Sequence, residues 1–383
     1  MFQLHLEKIK QKGTFRKLPE IEHHGKYVIQ EGRKMLNVSS NDYLGLAGQE
    51  SLREEFEEYR HPEKNIFSAS SARLLTGNYG IYNELESLLA RFYEREAALL
   101  FNSGYHANVG ILPALTTASS LILADKLVHA SIIDGISLCR VKTIRYRHND
   151  YEQLERLLRE NASKHDYVFV VTESIFSMDG DICDLQQLVS LKKQFSNVLL
   201  YVDEAHAVGV RGAAGRGVAE EQQVVPDIDI IVGTFGKALA SAGAFAITNQ
   251  EIKEVMINSV RSFIFTTALP PVNICWSKFI MEKIPFMTKE REHLRVLQQC
   301  ISERFPQKEV FSHIVPFLIG DSQKSVFISE KLKEAGYYAL PIRPPTVPEG
   351  SARIRISLTA QLTVEEVKLL MTAIVETGHA SSL

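Results

Sequence analysis

An acid, a histidine and a lysine stand where this chain could do chemistry. The stretch LLYVDEAHAVGVRG (199–212) ends an apolar run with Asp203-Glu204-Ala205-His206, and DIIVGTFGKALASAGA (229–244) sets Lys237 among glycines. The four letters Asp-Glu-Ala-His also mark a class of nucleotide-driven helicases. Those ATPases need a Gly-x-x-x-x-Gly-Lys-Ser/Thr loop, whose backbone N–H groups cradle phosphates and whose hydroxyl holds Mg²⁺. Gly-Lys occurs at Gly25-Lys26-Tyr27 and at Gly236-Lys237-Ala238. Neither pair has the hydroxyl residue or the upstream glycine, and Lys237 follows the acidic motif instead of preceding it. The chain lacks the parts of such an ATPase.

The same residues suit other chemistry. The apolar run before Lys237 ends at Thr234, and Gly233, Gly236 and Gly243 let the backbone turn tightly there. Asp203 ends a second apolar run, and open α/β sheets hold ligands at the carboxyl edge of their strands. A lysine for a Schiff base and an acid for a pyridinium nitrogen are the groups that pyridoxal phosphate requires. The acid keeps the ring nitrogen protonated, and the released lysine can act as a base at the substrate α-carbon. A phosphate site is also expected. LLFNSGYHANVGIL (99–112) runs from a strand through Ser103-Gly104 into a helix, and free N–H groups at a helix start bind a dianion.

The elements that must position these residues alternate along the middle of the chain. Apolar runs at 97–101, 121–125, 142–146, 167–173, 199–204, 228–234 and 242–248 read as strands, mostly buried on both faces. Amphipathic stretches at 82–96 and 150–164 read as helices between them. This pattern predicts an α/β fold with a mostly parallel wound sheet. After about residue 275 the texture changes to one long helix (276–305), the run HIVPFLIGD, a helix at 323–335, the stretch ALPIRPPTVPEGSARIRISLTA and a closing helix at 363–379. The expected organisation is an N-terminal segment (1–40), a large domain (41–275) and a smaller C-terminal α+β domain (276–383).

Composition fits that plan and narrows the function. The 383 residues are 45% hydrophobic and 23% charged with a net charge of −3, which offers no bulk attraction to nucleic acid or anionic membrane. Cys139, Cys183, Cys275 and Cys300 are scattered, without a zinc or disulfide spacing, and His23-His24 lacks companion ligands, so no metal is expected. The start, MFQLHLEKIKQKGTFRKL, has no signal-peptide core, and no apolar run nears the ~20 residues that span a bilayer. A cytoplasmic protein is expected.

Nine motifs in order carry a family resemblance: SSNDYLGL (39–46), SARLLTGN (71–78), NSGYHAN (102–108), ADKLVHAS (124–131), ESIFSMDGD (173–181), VDEAHAVGVRGAAGRG (202–217), GTFGKALASAGA (233–244), FTTALPP (265–271) and RPPTVPEGSARIRISLT (343–359). Over about residues 15–360 the chain resembles the α-oxoamine synthases, fold-type I pyridoxal-phosphate enzymes that condense an amino acid with an acyl thioester. Within them it is most similar to the branch that serves biotin biosynthesis. The resemblance implies that Lys237 binds the cofactor and Asp203 partners its ring nitrogen. It implies that His129 stacks on the ring, and that Ser177 and His206 neighbour the ring and its phenolic oxygen. Gly104, Tyr105 and Thr234 would contact the phosphate, with Thr266 or Thr267 reaching in from the partner subunit of a homodimer. Asn41 and Arg355 would hold the amino-acid carboxylate, with Arg353 as a salt-bridge residue beside them, and Arg16 and Thr346 would contact the acyl substrate. The implied substrates are L-alanine and a pimeloyl thioester, on carrier protein or coenzyme A, with loss of CO2. His24 and His106 match no functional position. Tyr82 stands where the family commonly has histidine, and Ala69, Ser70 and Ser71 where it has glycines. Those departures bear on acyl specificity and the dimer interface. A sibling using another amino acid or thioester, such as 2-amino-3-ketobutyrate ligase, stays open, as does a non-catalytic scaffold of the same fold.

Overall fold

The structure, a computed structural model, describes residues 2–11, 14–60 and 66–379. By their contacts the residues gather into two units, one of 1–49, 177–181 and 289–383 and a larger one of 50–176 and 182–288. The chain thus changes unit at 49/50 and 288/289, against the breaks after 40 and 275 read from texture, and 177–181 joins the smaller unit.

The smaller unit opens with α1 (Phe2–Gln11), β1 (Glu22–His24), β2 (Tyr27–Gln30) and β3 (Arg33–Asn37). Tight antiparallel turns join the three strands. Glu31 and Gly32, between β2 and β3, both have positive φ (50° and 77°), as a two-residue turn matched to strand twist demands.

The larger unit then runs α2 (Glu50–Tyr59), α3 (Gly80–Tyr93), β4 (Ala97–Phe101), α4 (Gly104–Leu115), β5 (Leu121–Asp125), α5 (Ala130–Leu138), β6 (Lys142–Tyr146), α6 (Tyr151–Asn161), β7 (Val168–Glu173), α7 (Leu185–Lys192), β8 (Val198–Asp203), α8 (Val218–Glu221), β9 (Ile230–Thr234), β10 (Ala244–Thr248), α9 (Gln250–Ser259), α10 (Arg261–Ile264) and α11 (Pro271–Lys283). Its seven-stranded sheet has the order β4-β10-β9-β8-β7-β5-β6. All neighbours pair parallel except β10, which is antiparallel to both β4 and β9. The mostly parallel α/β sheet expected from the apolar runs is therefore present.

Burial explains where polar residues stand in it. β4, β5, β7, β9 and β10 are buried throughout, so each Val, Leu or Ile contributes about 1.5–3 kcal/mol. Edge strand β6 instead exposes Lys142 and Arg145, which discourages edge pairing. In the parallel strands β5, β7, β8 and β9, buried polar residues sit at the carboxyl ends: Asp125, Thr172, Glu173, Asp203 and Thr234. Burying such groups costs several kcal/mol unless they are paired. That cost, accepted along one sheet edge, marks a site.

The smaller unit resumes in α12 (Thr288–Arg304), followed by β11 (Ile314–Gly320), α13 (Ser322–Glu334), β12 (Tyr337–Tyr338), β13 (Pro341–Ile342), β14 (Ala352–Ser357) and α14 (Val364–Ile374). β11, β14 and β13 form one antiparallel sheet, and β12 joins β3 in another. The single helix expected over 276–305 is two, because Pro285, without an N–H, sits in a 3₁₀ turn (Ile284–Phe286) between α11 and α12. The closing helix leaves α geometry after Ile374 and ends as a π turn, Val375–His379. Among the described residues no helix is long and apolar enough to cross a membrane, and no His/Cys/Asp/Glu group of three could hold a metal.

Candidate active site

The carboxyl ends of β4, β5, β7, β8 and β9 share one edge of the larger unit's sheet, because β4 runs with β9 across the intervening antiparallel strand. Lys237 lies in the turn after β9. That turn is braced from inside: the Thr234 hydroxyl donates to Gly243 O (3.0 Å) and accepts the Gly236 N–H (3.1 Å). The structure thus engages Thr234 Oγ1 in shaping the lysine turn. Lys237 Nζ reaches 3.0 Å from Nε2 of buried His206, three residues past Asp203.

Asp203 is buried at the end of β8, each oxygen held by a separate donor: Oδ1 by the Ala205 N–H (2.8 Å) and Oδ2 by Asn108 Nδ2 (2.7 Å). Asn108 Nδ2 also donates to Ser131 Oγ (2.9 Å), while Tyr201 O–H donates to Asn108 Oδ1 (2.6 Å). Ser131 in turn meets His129, the N-cap of α5, whose Nδ1 accepts the Ser131 N–H (3.2 Å) and lies 2.7 Å from Ser131 Oγ. Gly135 makes this network possible. A Cβ there would stand 2.3 Å from Asn108 O, so glycine lets α5 pack against α4.

His129 is exposed, yet the protein packed around it lowers its pKa below 6.5. The nearby Lys237 charge acts the same way, while Asp203 and Asp134 oppose. Glu173 ends β7 directly beside Asp203 in register. Burial, then Asp203, pushes the Glu173 carboxyl well above its ordinary range. Glu204, the next residue after Asp203, is fully buried, and burial raises its pKa to about 7. It accepts the Val218 (3.1 Å) and Ala219 (2.7 Å) N–H groups and the Ser174 hydroxyl, so it ties the strand end to α8.

Gly104 opens α4 behind the N-cap Ser103, whose hydroxyl accepts the His106 N–H (3.2 Å). Nothing lies within 4 Å of where a Gly104 Cβ would point, which leaves the helix start open to close approach by an anion. Tyr105 is exposed, its hydroxyl on Asp134 (2.8 Å). Thr266 and Thr267 follow α10, where Asn102 Nδ2 reaches Thr266 Oγ1 (3.2 Å) and Thr267 O (2.7 Å).

In the smaller unit, β14 carries buried Arg355. Its Nε donates to Ser177 O (2.6 Å), Nη1 to Ser357 Oγ (2.7 Å) and Nη2 to Tyr43 OH (3.2 Å), and both terminal nitrogens meet Asn41 Oδ1 at 3.4 Å. Asn41, Ser177 and Arg355 are thus one cluster, with the Ser177 backbone supplying the contact. Arg353, two residues earlier, pairs with Asp179 and donates to Met178 O (3.1 Å), as a salt-bridge residue. Arg16 Nη2 donates to Thr346 Oγ1 (2.8 Å), which joins the two residues assigned to the acyl substrate.

Comparison with known proteins assigns the chain to a family. Residues 33–374 match the family of class I and II aminotransferases. A Haemophilus influenzae protein named "Putative 8-amino-7-oxononanoate synthase" is 55% identical over 371 residues, covering 96% of this chain and 98% of its own. A Neisseria meningitidis protein of the same name is 54% identical over 372 residues, with the same shares covered. The chain belongs to the 8-amino-7-oxononanoate synthase family, within the class I and II aminotransferases. Solved relatives of this fold include serine palmitoyltransferase from S. paucimobilis with bound pyridoxal phosphate and myriocin (TM-score 0.90, 26% identity, 100% of this chain and 97% of that one). An 8-amino-7-oxononanoate synthase from Francisella tularensis aligns with TM-score 0.75 at 26% identity, covering 91% of this chain and 99% of that one.

Asn108, Ser131, Tyr201 and Tyr43 were not singled out from the sequence, although Asn108 closes the NSGYHAN motif and Ser131 the ADKLVHAS motif. The bonds that tie them to Asp203, Arg355 and one another span 23 to 312 residues, so spacing carried no signal beyond the motif itself. His106 Nδ1 lies 2.8 Å from Ser103 Oγ at the start of α4, and His24 is exposed on β1. Tyr82, in place of the family histidine, is buried under the Arg73 guanidinium (4.4 Å to the ring centre) and donates to Leu269 O (2.6 Å).

Proposed function

We propose that the chain condenses L-alanine with a pimeloyl thioester, on carrier protein or coenzyme A, to give 8-amino-7-oxononanoate, CO2 and the free thiol. The observation that carries this is the pairing of Lys237 Nζ with His206 Nε2 at the strand edge where Asp203 is buried, in a chain 54–55% identical to proteins given that synthase's name. Pyridoxal phosphate is the cofactor, and the residues fit it. Lys237 is the amine that holds it, and Asp203 is a buried carboxylate with two donors to fix its aim. The first amides of α4 at Gly104 and Tyr105 offer donors to the phosphate.

Bound pyridoxal phosphate supplies an electron sink for negative charge at the amino-acid α-carbon. Lys237 Nζ would hold the cofactor and, when free, would take the substrate α-proton, with His206 keeping that nitrogen in place. Asp203 would pair with the ring nitrogen and favour its protonated form. His129, held neutral by its depressed pKa, presents Nε2–H as a donor to the thioester carbonyl. Arg355 binds the amino-acid carboxylate through its fork until that group leaves as CO2, with Asn41 beside it. Arg16 and Thr346 meet the acyl chain, and Ser177 belongs to the ring's surroundings. The family resemblance supports a homodimer in which Thr266 or Thr267 would reach the partner's phosphate. The four unpaired cysteines support a cytoplasmic setting.

A substrate matrix tests the assignment: L-alanine, glycine and L-serine, each against pimeloyl, acetyl and palmitoyl thioesters, with thiol and CO2 release as readouts. Alanine with pimeloyl should turn over fastest. A faster glycine or serine pair would move the chain to a sibling activity, and no turnover with any pair would leave the non-catalytic scaffold.

A further inference from the structure

The bonds around Asn108 have directions that follow from chemistry alone. A carboxylate only accepts, so the Asn108 atom 2.7 Å from Asp203 Oδ2 is the amide nitrogen. That places Asn108 Oδ1 toward Tyr201, whose hydroxyl donates to it (2.6 Å). The second amide proton goes to Ser131 Oγ (2.9 Å). A backbone N–H only donates, so His129 Nδ1, which receives the Ser131 N–H (3.2 Å), carries no proton, and the neutral ring is protonated at Nε2. The Ser131 hydroxyl proton then points at Nδ1 (2.7 Å). The Ser131 N–H fixes the tautomer that His129 presents, and the one amide of Asn108 both holds an oxygen of Asp203 and turns the Ser131 hydroxyl proton toward His129 Nδ1.

We infer that Asn108 is a positioning residue for this reaction: it couples Asp203 to His129 through Ser131 and fixes the two in one arrangement before any ligand arrives. This rests on reading Asp203 and His129 as cofactor residues. Asn108, Ser131 and Tyr201 are buried, so water cannot replace a lost partner and the coupling is obligatory. The groups that face His129 are Asp203 from β8, Lys237 from the turn after β9, Asp134 from α5 and Glu173 from β7, whose carboxylate accepts the His129 backbone N–H. Asn108 is the neutral group bonded to one of them and to the serine that touches the ring.

Three variants separate positioning from packing. Asn108→Asp keeps the shape but turns an acceptor toward Asp203. Ser131→Ala removes the hydroxyl that links Asn108 to His129 but keeps the Ser131 N–H on Nδ1 and the Asn108 bond to Asp203. Tyr201→Phe removes a buried hydroxyl while sparing both amide protons of Asn108. The measurements are pyridoxal phosphate titration of the cofactor-free protein, ¹⁵N shifts of the His129 ring in that protein, thermal midpoints, and kcat and KM for alanine. The expected result for Asn108→Asp is cofactor affinity down at least ~10-fold and kcat down about 100-fold, with alanine KM within about threefold. Ser131→Ala should keep cofactor affinity within about twofold but move the Nδ1 shift, and Tyr201→Phe should lower only the midpoint. An Asn108→Asp protein that folds, binds and turns over within about twofold of wild type would overturn the inference. So would losses in all three variants that simply track their midpoints. If Asn108→Asp does not fold, an unmoved Nδ1 shift in Ser131→Ala overturns it instead. A wild-type protein that takes up no cofactor would overturn the underlying reading, not this coupling.

Discussion

Asp203 in the larger unit and Arg355 in the smaller one are both buried charged groups, and they are held in opposite ways. Asp203 has one short bond per oxygen, 2.8 and 2.7 Å, from donors that are themselves fixed. Arg355 has short bonds at Nε and on the Ser357 side, 2.6 and 2.7 Å, but both terminal nitrogens share Asn41 Oδ1 at 3.4 Å. Bonds at 3.4 Å lie near the limit of useful strength. Exposed Asn41, whose Oδ1 also accepts the Tyr43 hydroxyl (3.0 Å), is thus only loosely tied to Arg355, while the short bonds hold the guanidinium plane. Asp203 is over-determined and Arg355 keeps a loose side, as the proposed function asks of an acid that stays fixed and a cation that takes up a substrate carboxylate.

The widest break in that comparison is Lys237→Ala. Turnover should fall by about 10⁴-fold or more, because anchor and base are lost together, and the cofactor's Schiff-base absorbance should vanish. Arg355→Lys tests the loose side. Its kcat/KM for alanine should fall roughly 10–100-fold, mainly through KM, because a point charge replaces a planar fork.

Glu204 sharpens the tight side. Its folded pKa of about 7 lies above the ordinary 4.5, so the folded state holds the extra proton between those values. Stability from this group is therefore present at acid pH and lost as pH rises through about 7. Wild type should lose up to about 3 kcal/mol relative to Glu204→Gln between pH 5 and 8, as chemical denaturation at each pH would read. Asn41→Ala should have the smallest effect, a few-fold change in alanine KM and about 1 kcal/mol in stability, since its two bonds to Arg355 are long and the one ordinary bond it removes is from the Tyr43 hydroxyl (3.0 Å). A large stability loss there would contradict the loose-side account.

Much of this was legible in the sequence, for identifiable reasons. Strands 97–101, 121–125 and 142–146 have the boundaries that their runs implied: the first two are buried throughout and stay apolar up to their last residue, while edge strand 142–146 turns Lys142 and Arg145 outward. The direction of β10 was not legible, since AGAFAIT reports burial and not polarity. Pro285 could have divided the helix of 276–305, but the amphipathic pattern continues on both sides of it. Residues 177–181 gave no compositional sign of belonging with 1–49 and 289–383. The chemical residues Lys237, Asp203, His129 and His206 stood out by type and motif. Asn108 did not, because its bonds to Ser131, Tyr201 and Asp203 exist only once α4, α5 and β8 are packed.

The most direct measurement is the visible absorbance of the purified protein with pyridoxal phosphate, titrated with L-alanine and, in parallel, with glycine and L-serine. The account predicts a Schiff-base band that depends on Lys237 and shifts with alanine at lower concentration than with the other two. A band that alanine leaves unchanged while glycine or serine shifts it would contradict the proposed substrate, and no band with excess cofactor would contradict the site itself.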